Sequence, residues 1–166
     1  MLTPTAASPH RQSGIMLLEA LIGILIFSLG ILGMVSLQAA SLAASADAKY
    51  RSEAAGYADQ LIAQIWLNAD RTTSATLQTS LLTFRYNTSG TGCAFSGGAA
   101  DTTNTILDAW ITAVTSTASS RLPGATTAMQ QVLVDTAANN SVTVTVCWQG
   151  PNDAQPRRHT MTANVS

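Results

Sequence analysis

Charge is scarce in this chain. Only 10% of its 166 residues are Asp, Glu, Lys or Arg, against ~25% in an average soluble protein. Ala, Thr and Ser fill the gap. Eight basic and nine acidic groups leave a formal net charge of −1. That balance lacks the electrostatic footprint of a nucleic-acid binder, so direct DNA or RNA binding is not expected. The basic residues are scattered, and their only adjacent pair, Arg157-Arg158, reads as a solvated turn or strand start. Histidine is as rare: His10 near the N-terminus and His159 near the C-terminus have neither ligand nor triad company. There is no Gly-rich phosphate loop before a Lys, no His-Glu-x-x-His and no Gly-x-Ser-x-Gly. Asp101 and Asp108 flank a short helical pattern and read as capping or solvated residues rather than an acid–base pair. The expectation is a non-enzymatic protein without cofactor or metal.

Ionisable side chains vanish altogether between Ala20 and Ala46. A helix of that span is about 40 Å long at ~1.5 Å per residue, ample for a ~30 Å hydrocarbon core. A secretory signal has a shorter apolar core and a Lys/Arg-rich start, whereas the leader here carries only His10 and Arg11. The anchor reading is therefore preferred to signal cleavage near Ala39-Ala40-Ser41. One acid interrupts the pattern: Glu19 sits five residues into the apolar segment that begins at Ile15. A lone carboxylate near a bilayer centre costs roughly 2.5–3.5 kcal/mol, so its presence calls for a reason. Simple protonation, or snorkelling to the surface, is the plain alternative to a functional role.

Organisation follows from composition and periodicity. Met1 to Gly14 contains Pro4 and Pro9 and reads as an unstructured leader. Helix propensity takes over at Ile15 and is not broken decisively until Asn68. Residues 15–40 would lie in lipid. Over residues 41–68 the pattern becomes amphipathic, with Tyr50, Ala54, Tyr57, Leu61 and Ile65 on one face and Trp66 as a further anchor. Residues 69–166 form a head: a Thr/Ser-rich loop over 70–80, a short strand over 81–86, turn chemistry over 87–98, a helix over 105–117, and a strand over 131–134. The clearest strand, Val142 to Trp148, sends three valines and Trp148 one way and Thr143, Thr145 and Cys147 the other. With Arg158 to Val165 it predicts an antiparallel hairpin. The order argues for an α+β fold, a long helix packed on a small antiparallel sheet.

Cys93 and Cys147 are the only cysteines, both on the far side of the apolar segment. An even count in an exported domain favours one disulfide over two reduced thiols. It would close a loop of about 55 residues, for about 4 kcal/mol in the chain-entropy model.

Gly14, the run Ile15-Met16-Leu17-Leu18-Glu19 and the apolar helix after it resemble a class III prepilin. Ser28-Leu29-Gly30-Ile31-Leu32-Gly33, Leu37-Gln38, the helix end Gln60 to Asn68, Trp110, Leu122-Pro123-Gly124 and the strand Val142 to Trp148 resemble the PilV (type IV pilus modification) family of minor pilins. The resemblance implies a pilin-like, lollipop-shaped α+β subunit. A prepilin peptidase would cut between Gly14 and Ile15 and N-methylate Ile15, where family members often carry Phe or Met. Glu19, in the first turn of a helix begun at Ile15, would neutralise the terminal amine of a neighbouring subunit. The implied partners are other minor pilins, the major pilin, the inner-membrane assembly platform and, before assembly, inner-membrane lipid. The implied function is to help initiate a type IV pilus, in a tip complex, and so to support twitching motility, adhesion and DNA uptake. A minor pseudopilin of a type II secretion system shares leader, helix and acid, and a non-polymerising anchored binding domain is the rival of another class.

Overall fold

The computed structural model describes residues 13–116 and 122–166, so Met1 to Gln12 of the leader, including His10 and Arg11, lie outside the described residues. The elements run α1 (Ser13–Asn68), α2 (Ser74–Leu82), β1 (Ser89–Thr91), β2 (Ala94–Ser96), α3 (Thr105–Thr115), a 3-10 turn (Thr127–Met129), β3 (Gln130–Asp135), β4 (Ser141–Trp148) and β5 (Arg157–Asn164). Two compact units divide inside α1, between Ala46 and Asp47.

The described residues of the first unit, 13–46, are helical. From Ile15 to Leu42 every large apolar side chain is exposed. The polar exceptions are quiet: Ser28 Oγ donates to Ile24 O at 2.7 Å and Ser36 Oγ to Leu32 O at 3.1 Å. Both hydroxyls are thereby spent on the carbonyl one turn back, which leaves the surface apolar. This helix is long and apolar enough to cross a membrane.

The second unit, Asp47 to Ser166, has an α+β core. The amphipathic end of α1 buries Ala54, Ala58, Leu61, Ile62 and Ile65 against Val132, Val142, Val144, Val146 and Trp148. The sheet order is β3-β4-β5, antiparallel throughout. Its register runs unbroken over eight pairs from Ser141↔Asn164 to Trp148↔Arg157. β4 carries the alternation its sequence announced, and all three of its valines are buried. Thr145 and Cys147, which face the other way, are buried as well. A small second cluster of Cys93, Phe95 and Cys147, with Met129 against it, explains the burial of Cys147. Trp66 does not serve as a buried anchor. It is 40% exposed and stacks instead under the Arg71 guanidinium, 5.2 Å from the ring centroid.

Two expected segments fold differently. The Thr/Ser-rich stretch read as a loop contains α2, started by a capping box. Thr73 Oγ1 accepts from Thr76 N at 3.1 Å, and Thr73 N donates to Thr76 Oγ1 at 2.9 Å. Leu77 and Leu81, one turn apart, bury its inner face. The strand expected over 81–86 is correspondingly absent, and only Tyr86 pairs, as an isolated bridge to Val132 and to Ala99. Inside the turn-rich segment lies the β1–β2 hairpin, closed by Gly92 (φ +63°) and Cys93 (φ +68°). Positive φ at both central residues is the type I′ geometry that matches strand twist.

Candidate functional site

Gly14 and Ile15 lie within α1, which begins at Ser13. Ile15 is 69% exposed. Glu19 is exposed too, among apolar neighbours, and has no hydrogen bond or ion pair among the described residues. Because the helix already includes Ser13 and Gly14, Glu19 stands beyond its first turn. The dipole argument for this acid thus applies to a chain that begins at Ile15 and not to the uncut one. The structure therefore brings together, in the apolar part of α1, the Gly14–Ile15 bond, that segment's single acid and an unpartnered apolar surface.

Cys93 and Cys147 are joined in a disulfide across a sequence separation of 54. A network of buried amides holds the Cys147 end in place. The Gln130 side chain continues the β-ladder past the end of β3: Nε2 donates to Cys147 O at 3.0 Å and Oε1 accepts from Cys147 N at 3.3 Å. Asn87, at φ +47°, donates through Nδ2 to Thr127 O (2.8 Å) and Gln130 O (2.9 Å) and accepts Gly98 N at 3.0 Å. Gln131 Nε2 returns to Asn87 O at 2.9 Å. Sequence reading missed this network. Its one signal was amide side chains in a strand and a turn, where a buried amide must find partners.

A second polar group ties the start of the unit to its last strand. Arg157 contacts Asp47 and Asp153, each at 2.8 Å, and Asp47 also meets Arg51 at 3.0 Å. Hydrogen bonding to Arg157 holds the Asp153 carboxyl below its ordinary range. Arg157 is thus the engaged half of the Arg157-Arg158 pair, and Arg158 is exposed. His159 is half-buried, and its Nε2 has no hydrogen-bond partner among the described residues.

Two carboxylates lie beside surface grooves. One groove lies along α2 beside Asp70, and another lies between Arg85 and Asp101. The side-chain and backbone hydrogen bonds from Thr72 lower the Asp70 carboxyl, and those from Thr103 do the same for Asp101. Both therefore stay ionised and are poor proton donors near neutral pH. Asp101 closes the turn before α3, Asn104 caps the helix through Leu107 N, and Asp108 lies in its first turn. Among the described residues no three His, Cys, Asp or Glu side chains are grouped as metal ligands would be.

Comparison with protein-family models, with curated proteins and with solved structures finds no match.

Proposed function

We propose that this chain is a minor pilin of a type IV pilus, a non-enzymatic subunit that helps prime filament assembly. The observation that carries the reading is the exposed apolar helix with one acid, Glu19, four residues after Ile15 at the Gly14–Ile15 bond. An apolar surface of that extent needs lipid or neighbouring helices to cover it. A single carboxylate in it is tolerable once paired with an opposite charge, and the amine freed by cleavage would supply one. Before assembly the subunit would sit in the inner membrane by α1 with its head in the periplasm, where a disulfide is stable. Afterwards it would join other minor pilins and the major pilin in the fibre.

The test is the N-terminus of the membrane-extracted protein. A chain that begins at N-methylated Ile15 and carries one disulfide is expected. A chain retaining Met1 to Gly14, or beginning near Ser41, overturns the proposal in favour of an anchored or secreted domain. With processing established, deletion separates the two filament systems: loss of pili and twitching supports the pilus, and loss of exoprotein secretion moves the subunit to a type II secretion system. Glu19→Leu should insert in the membrane normally, yet fall about tenfold or more in sheared fibres, as expected when the charged partner amine is left without its counter-charge.

A further inference from the structure

The free edge of the sheet lies on β5, and the hydrogen bonds fix which backbone groups it presents. Tyr86 N donates to Val132 O and Val132 N to Tyr86 O, both at 3.0 Å. Val132 therefore points away from β4, so its cross-strand neighbour Val144 turns its own N–H and C=O toward Met161 of β5. At the far end Val165 N donates to Asn140 O at 3.2 Å, which gives the same phase. It follows that His159, Met161 and Ala163 bond to β4, while Arg158, Thr160, Thr162 and Asn164 aim their N–H and C=O outward. All four are exposed, and none has a backbone partner among the described residues.

This edge lacks the usual protection. The eight residues contain no proline, lysine or bulge, and one exposed cation, Arg158, stands near one end. On the outer face Thr162 and Thr160 already form a hydroxyl ladder with Thr143 (3.0 Å) and Thr145 (3.3 Å). On the inner face Met161 and Ala163 are only half-buried at the rim of the core. A strand added here would satisfy the open backbone groups and lay alternate side chains over that apolar rim.

We propose that the β5 edge receives an extended, amphipathic strand from a different polypeptide, with a carboxylate opposite Arg158. The charge argues against a second copy: β5 holds Arg157, Arg158 and His159 but no acid, so no register of β5 on β5 sets a β5 carboxylate against Arg158. The inference stands on the sheet edge alone and is independent of processing at Gly14–Ile15.

The full-length protein in its native membrane carries the test. A benzoyl-phenylalanine photocrosslinker is placed singly at residues 160, 162 and 164, which leaves Arg158 in place. Crosslinks should fall on one segment of another chain and advance along it by two residues at each step. Thr160→Pro with Thr162→Pro removes two outward N–H groups that have no bond to β4, and should cut the crosslink from residue 164 by about tenfold. Thr160→Val with Thr162→Val should leave it unchanged. In the unmodified protein the Thr160 and Thr162 amides should exchange with deuterium about tenfold more slowly in the assembled state than in the isolated chain. Scattered crosslinks, crosslinks onto β5 of a second copy, equal yields from the Pro and Val variants, or unprotected amides in the assembly would each overturn the proposal.

Discussion

Asn87 offers the sharpest test of how the head is held together. It is 4% exposed, and its amide caps Gln130 O, which points away from β4 and has no rung of its own in the β3–β4 pair. Thr127 O is less dependent, because Gln130 N also donates to it. Asn87→Gly keeps the positive φ and removes the side chain, leaving Gln130 O and Gly98 N unpaired; at about 1 kcal/mol for each lost bond this costs about 2 kcal/mol. Asn87→Ala should lose about 1 kcal/mol more, since an alanine is strained in that backbone region. Asn87→Asp differs in kind, because its second oxygen would face two carbonyl oxygens at the positions Nδ2 now holds, at 2.8 and 2.9 Å. The charged form is disfavoured, so the folded-state pKa rises above the unfolded value of ~3.9. The variant should be nearly as stable as Asn87→Gly below about pH 4 and lose stability as pH rises toward the folded pKa. At neutral pH the deficit should reach about 3–5 kcal/mol, the scale of a buried charge without a partner. Urea unfolding of the detergent-solubilised chain between about pH 3.5 and 7.5, followed by near-UV dichroism, measures it. If Asn87→Asp gains stability with rising pH, or loses less than about 1 kcal/mol at neutral pH, the assignment of Asn87 as a buried donor to two carbonyls is refuted.

Three further outcomes follow from the same geometry. Replacing both Cys93 and Cys147 by Ala should cost up to about 4 kcal/mol in denaturant unfolding, since the disulfide closes a separation of 54 residues. Trp110→Phe should cost about 2 kcal/mol, because Trp110 Nε1 donates to Tyr57 O at 2.8 Å and the indole is buried. A loss near zero would mean that α3 is not held to α1 through that bond. On acidification, Asp70, Asp101 and Asp153 contribute in one direction: their folded-state values lie below the ordinary 3.8. Their stabilisation is present above about pH 4 and is lost as pH falls through the lowered values. Asp153→Asn should flatten the acid limb of a thermal-melting profile, and an unchanged limb would remove the Asp153–Arg157 pair from the account.

What the sequence made legible was whatever depended on long periodic patterns. The apolar run of α1, the amphipathic shift after Ala46, the alternation of Val142 to Trp148 and its hairpin partner each repeat one signal over many residues. Packing had little room to override them. The failures share a different cause. α2 is rich in Ser and Thr, which favour caps and turns over helix interiors, and its start depends on a Thr73–Thr76 reciprocal cap where Glu is the usual sign. Trp66 was read from size alone, whereas the turn after α1 places Arg71 over its exposed ring. The Asn87 and Gln130 amides were invisible because their partners lie about forty positions away or across the sheet. For the candidate site, the cysteines and the Gly14, Ile15 and Glu19 segment could be singled out by residue type and spacing. The open phase of β5 could not, since only the hydrogen bonds of β3 and β4 determine it.

The disulfide also decides how this protein breaks. A single cut by a protease anywhere between Cys93 and Cys147 leaves its two pieces covalently tied. The span includes the turn Asn139-Asn140, where both residues adopt positive φ. On a non-reducing gel such a nicked chain keeps its full mass. The exposed turn between β4 and β5 has no such insurance. One cut there leaves the last strand as a separate peptide, tied to the rest by non-covalent contacts: the sheet, the buried Val165, the Arg157–Asp47 ion pair and the bond from Arg71 to Ser166 O. A cut in the exposed loop after α1, which also lies outside the disulfide, divides the chain in the same way.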